Sequence, residues 1–239
     1  MKKIIICLTI AFTAISCETE NEYSKASEDA KHSIAYSKAG EAEPQNPANP
    51  YDMAGKIHNQ IAELYVGGSF NPPRVLLAEY VDGLALQNPD FAMLGNDFTP
   101  TSLPGIVYII NNTAKSAAES LEAFEMSNNL KLGLLAFMQQ VALLQQQNKD
   151  YNEIYSYIVN YETAIVGNLA LKPEGKKAIL TLTSIARYSN YFAKKQKQKP
   201  RDRDWDVSVG CLVAGLSGTI ESTQKAITKS LVAEILIND

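Results

Sequence analysis

A chain of 239 residues with 22 basic and 26 acidic side chains has a formal net charge of −4. Without a basic surplus it lacks the electrostatic footprint that a nucleic-acid partner requires. Its three cysteines and two histidines form no Cys-x-x-Cys or His-x-x-x-His pair, so neither a zinc site nor a disulfide framework is expected, and the fold must rest on an ordinary apolar core.

At the N-terminus Lys2 and Lys3 precede an apolar run, residues 4–15. It is shorter than the roughly 20 residues of a spanning helix and has the layout of a cleaved export signal. The ending Ala14-Ile15-Ser16-Cys17 resembles the lipobox of bacterial lipoproteins, although leucine is the usual residue three places before the cysteine. The resemblance implies a signal peptide over residues 1–16 and an acyl chain on Cys17. With Cys7 removed and Cys17 lipidated, Cys211 is left as a lone thiol, expected to be buried and inert. Residues 17–48 are polar and acidic and end in a Pro-rich stretch. Such a segment buries too little surface to offset its ordering entropy, so a disordered tether is expected. Glu18, Glu20 and Glu22 resemble the short acidic signals that carry Bacteroidota lipoproteins to the outer face of the outer membrane. The expected location is therefore the cell envelope, lipid-anchored at the outer membrane and facing the surface or the periplasm.

The folded domain spans residues 49–239. Asn49-Pro50-Tyr51-Asp52 has the form of a helix start, and Ala54, Ile57, Ile61 and Leu64 recur at helical spacing up to Gly67-Gly68. A second helix follows Asn71-Pro72 and stops at Asn88-Pro89. After a turn-rich loop, one continuous helix is predicted from Pro104 to Phe124, broken by Asn128-Asn129. A fourth runs from Leu130 to about Asn148. Asp150 with Glu153 has the capping-box pattern for a fifth, rich in tyrosine, and a sixth begins at Pro173. The last is predicted as one helix from Asp206 to Ile237. No stretch alternates with a period of two for long enough to make a strand, so the fold class is all-α, a single bundle of about six to seven helices.

Three features could carry chemistry. Asp202-Arg203-Asp204-Trp205-Asp206 opens like a calcium loop, but Val207 and Val213 stand where such a loop needs glycine and a bidentate glutamate. No metal or other cofactor is expected. Gly210, Ala214 and Gly218 fall at intervals of four and define a helix-packing face that admits a close neighbour. The apolar stretch around them is too short to span a membrane. His58, with Asn59 and Asp52 on the same predicted helix, is the third feature and a candidate binding site. It has no evident metal or nucleophile partner, and the basic run at residues 194–201 reads as a solvated loop.

The succession Asn49-Pro50-Tyr51-Asp52, Gly55, His58-Asn59 resembles a family of uncharacterised Bacteroidota lipoproteins. That resemblance covers the first helix, with looser similarity around residues 184–189 and 205–218. It implies an exported helical protein and transfers no catalytic residue. The expected role is non-enzymatic: a membrane-anchored module binding a protein, a glycan or another envelope component. The rival is a hydrolase or other enzyme whose active site is assembled from residues such as Glu63, Glu79, Asp82 and His58, which no linear motif exposes.

Overall fold

The computed structural model describes residues 42–197 and 205–239. The expected signal peptide and residues 17–41 of the expected tether, with the expected lipid site Cys17, lie outside these residues, as do residues 198–204. Among the described residues the chain is all-helical, with no strand. In order come α1 (Asp52–Gly67), α2 (Leu77–Leu86) entered through a 3₁₀ turn at Arg74–Leu76, α3 (Pro89–Ala92), α4 (Leu103–Asn111) and α5 (Thr113–Glu122). Then follow α6 (Asn128–Gln146), α7 (Tyr151–Gly167), α8 (Pro173–Lys197), α9 (Val209–Glu221) and α10 (Thr223–Asn238).

Among the described residues the expected six to seven helices become ten, for three local reasons. Asn88 does more than stop α2, because its side chain accepts from the amides of Asp90 and Phe91 and thereby caps the short α3. The predicted helix from Pro104 to Phe124 breaks at Asn112, which sits at φ −128°, ψ 40°. Beside it Thr113 Oγ1 bonds the carbonyls of Ile109 and Ile110 at 3.2 and 2.9 Å, drawing the backbone away from helical continuation. The predicted last helix breaks at Ser222, which is fully extended and caps α10 through the Lys225 amide at 3.0 Å. The cap at the start of α9 is Ser208, not Asp206.

α8 and α10 form the centre. Each is buried on nearly all sides, the pattern of helices enclosed by others rather than lying on a surface. α8 contacts α1, α7, α9 and α10, while α10 folds back along α9 and touches α1, α2 and α4. Two glycines set the closest approaches. At Gly218 a Cβ would lie 2.5 Å from the Cα and N of Ala226, so the end of α9 rests directly on the backbone of α10. At Gly55 a Cβ would overlap the Ser184 carbonyl and the Tyr188 ring, and the Gly55 amide donates to Ser184 Oγ at 3.0 Å. Gly210 and Ala214 are buried on the same α9, Gly210 beneath Ile237. No helix among the described residues is long and apolar enough to cross a membrane.

The structured body reaches back beyond residue 49, to Ala42. Ala42 N donates to Asn152 Oδ1 at 2.7 Å, Tyr155 OH to the Gln45 carbonyl at 2.9 Å, and Tyr191 OH to Glu43 Oε2 at 2.9 Å. This piece of the expected tether docks through polar groups, so its lack of apolar side chains does not leave it free.

Candidate functional site

The charged groups that could do chemistry lie along α8, inside the bundle. Arg187 is fully buried, and its Nη2 meets Asp52 Oδ1 at 2.5 Å and Glu162 Oε1 at 3.3 Å. Glu162, also fully buried, accepts from Asn46 Nδ2 at 2.6 Å, Asn49 Nδ2 at 2.7 Å and Thr183 Oγ1 at 3.0 Å. Asp52 accepts from Tyr188 OH at 3.1 Å and the Asn46 amide at 3.2 Å. Two carboxylates thus share one guanidinium, and neutral donors hold the surplus negative charge. Burial first, and the Asp52 carboxylate second, raise the Tyr188 phenol above its ordinary value, so it stays a donor. Arg187 Nε and Nη1 have no acceptor among the described residues, and the Tyr188 ring centroid lies 5.4 Å from Cζ.

Half a turn along α8 a second group gathers around Glu234 of α10. Ser189 Oγ donates to Glu234 Oε1 at 2.7 Å, and Trp205 Nε1 donates to Oε2 at 3.3 Å. His58 of α1 faces them, with Nδ1 3.4 Å from Ser189 Oγ and Nε2 3.6 Å from Glu234 Oε1. Burial pushes the His58 imidazole down to about 3 and the Glu234 carboxyl up to about 7, the latter partly opposed by hydrogen bonds from Ser189, Trp205 and Ser230. The imidazole is therefore neutral, and 3.6 Å is too long for a hydrogen bond. Serine, histidine and carboxylate are all present, but not in the wiring of a nucleophile site: the serine proton goes to the carboxylate rather than to the imidazole. None of the three is more than 1 % exposed, so no substrate bond reaches the serine.

The sequence-derived trio does not converge. Asp52 joins the arginine cluster and His58 the glutamate cluster, while half-buried Asn59 only bridges to Glu63 at 3.0 Å on its own helix. Arg187, Glu162, Glu234 and Ser189 were missed. The available signal was a charge inside an apolar helical run, as at Arg187 and Glu234. The hydrolase set is scattered: Glu63 and Glu79 line different clefts, and Asp82 accepts from the Thr101 amide at 2.6 Å beneath the loop. Cys211 is buried, bonded to Ser208, and pushed up to about 12 by burial. Among the described residues no group of three or more His, Cys, Asp or Glu could hold a metal ion.

The surface offers different material. Tyrosines of α7 turn inward: Tyr151 is buried, and Tyr157 and Tyr161 stack on Phe137 at 5.8 and 4.4 Å. The loop after Gly95 is pinned by Lys225 Nζ, which donates to the Thr99 and Pro100 carbonyls at 3.1 and 2.8 Å. Large apolar side chains are exposed at scattered positions, Met93, Leu132 and Leu169 among them, and several gather where α1 ends and α2 begins. Leu64 is 49 % exposed, Phe70 54 % and Leu76 44 %. Tyr80 lies beneath Phe70, ring centroids 5.2 Å apart, and the cleft they edge holds about 400 Å³. No protein family, curated protein or solved structure matches this chain.

Proposed function

We propose that this protein is an exported lipoprotein of the kind its N-terminus and first helix resemble, a non-enzymatic helical module that holds a protein partner at the cell envelope. The observation that carries the reading is the apolar surface around Phe70 and Leu76. The chain encloses its reactive groups in the core yet leaves these large side chains in water, at a point where Gly67-Gly68 and Pro72-Pro73 hold the connection between two helices. Exposed apolar surface of this kind marks contact sites, and an aromatic residue at its centre suits the anchor of a protein interface.

The test uses full-length protein cross-linked in cell envelopes. Wild type should recover one species in stoichiometric amount, and Phe70→Asp with Leu76→Asp should lose it while circular dichroism stays unchanged. Equal recovery by the folded double variant removes the reading. Cys17→Ser should move the protein to the soluble fraction, and unchanged membrane association would remove the anchor.

A further inference from the structure

The Glu234 cluster has one wall that borders a surface cleft. Trp205 is 5 % exposed, its indole Nε1 donates to Glu234 Oε2 at 3.3 Å, and its ring packs edge-on against Phe192 with centroids 5.2 Å apart. The same residue lines a cleft of about 380 Å³ together with Tyr65, Phe70, Gln196 and Asn238. The indole thus stands between a wholly buried carboxyl and a cleft that opens to solvent.

What faces Glu234 is short of positive charge. α1 brings His58, α8 Ser189, α9 Cys211, and α10 itself Ser230. α2 and α4 also touch α10, but Asp82 of α2 is turned to the Thr101 amide and Lys225, and Tyr108 of α4 lies beside Lys115. Asp239 lines the cleft, and Asp206, next to Trp205, pairs with Lys197 at 2.8 Å. Among the described residues no lysine or arginine pairs with Glu234. His58 Nε2 is buried without a hydrogen-bond partner, 3.6 Å from Glu234 Oε1, so a proton on Oε1 is the partner within its reach. While that proton is held, the pair carries no net charge. Without it a carboxylate stands buried with no cation to balance it, a costly state. Burial outweighs the donors Ser189, Trp205 and Ser230 and holds the carboxyl up at about 7.

We propose that Glu234 and His58 form a proton-operated catch on Trp205: with the proton held between them the indole seals the core, and its loss swings the indole into the cleft and admits water to the carboxylate. The indole is the side chain to yield because its 3.3 Å bond is weaker than the 2.7 Å bond from Ser189, and because the cleft on its other side has room for it. Its backbone need not move. The Asp206 amide donates to Asn238 Oδ1 at 2.7 Å and Asn238 Nδ2 donates to the Asp206 carbonyl at 3.1 Å, which clamps the chain beside Trp205 to the end of α10. The closed form therefore belongs to acidic solution and the open form to alkaline solution.

Trp205 is the chain's single tryptophan, so tryptophan fluorescence of the full-length protein in detergent micelles reports this side chain alone. Acrylamide quenching measured between about pH 5 and about pH 9 brackets the transition. The quenching constant should rise severalfold and the emission should move to longer wavelength, both with a midpoint near 7, while far-ultraviolet circular dichroism stays constant. Glu234→Gln, which keeps an acceptor for the indole and removes the titration, should hold the low quenching constant at every pH. The one indole N–H resonance of the wild-type protein should shift with the same midpoint, a readout that stands even if the variant does not fold. Flat quenching in wild type, an indole resonance that does not move, a rise that persists in the folded variant, or loss of the helical signal at the same midpoint would each overturn the proposal. None of these readouts involves a partner, so the docking surface around Phe70 stands or falls separately.

Discussion

At the scale of single residues, His58 and Glu234 titrate in opposite directions because the same dry environment disfavours both charged forms. Glu234 is raised from 4.5 to about 7, so its stabilising contribution is complete below 4.5 and is lost as pH rises through 7. His58 is lowered from 6.5 to about 3, so its contribution is complete above 6.5 and is lost as pH falls through 3. Between 4.5 and 6.5 the two slopes cancel: folding discharges the imidazolium and protonates the carboxylate, with no net proton exchanged. Thermal midpoints should therefore show a plateau over that window, with the Glu234 contribution falling above it. Glu234→Gln keeps the shape of the side chain and removes its titration. The midpoint of the variant minus that of wild type should grow from pH 4.5 to 7 and then level off; a pH-independent difference would contradict this account.

At the scale of elements, α9 and α10 behave as one hairpin whose faces leave no room for growth. Ala214 is fully buried between the close-contact positions Gly210 and Gly218. Ala214→Leu should cost about 1–3 kcal/mol by overpacking, read as a lower thermal midpoint of the lipid-free protein in one buffer. A midpoint equal to or above wild type would show that α9 does not face protein there. The all-helical class, α1, α6, α7 and the start of α8 were legible because their apolar residues recur at helical spacing. The breaks at Asn112 and Ser222 were not, since the apolar pattern runs through both. What ends the helices is a side chain turning onto nearby backbone, Thr113 onto Ile109 and Ile110 and Ser222 onto Lys225, and serine, threonine and asparagine also occur inside helices without doing so.

At the scale of the whole molecule, the buried clusters were the least legible part. Asn46, Asn49 and Asp52 meet Glu162 and Arg187 across more than a hundred residues of chain, a pairing that no local period encodes. His58 was noticed from its isolation, but its neighbours Ser189 and Glu234 become neighbours only when α1, α8 and α10 assemble. This long-range closure gives a prediction about chain length. A fragment of residues 42–239 should melt cooperatively and in a way that chelators do not alter. A fragment of residues 50–239 should melt lower, because Glu162 would lose two amide donors while remaining buried, each loss costing about 1–3 kcal/mol. Equal midpoints would mean that the docked segment adds nothing to stability.

The docked segment also decides how load enters the protein. Under the proposed lipid anchor, tension along the chain would arrive first at the Ala42, Glu43 and Gln45 contacts on α7 and α8, and next at Asn46 and Asn49 on Glu162. Only after these yield would force reach the first turn of α1. Under that anchor the segment would act as a mechanical fuse in series with the bundle, taking up small pulls at residues 42–45 before the Asn46 and Asn49 bonds that help close the Arg187 cluster are loaded.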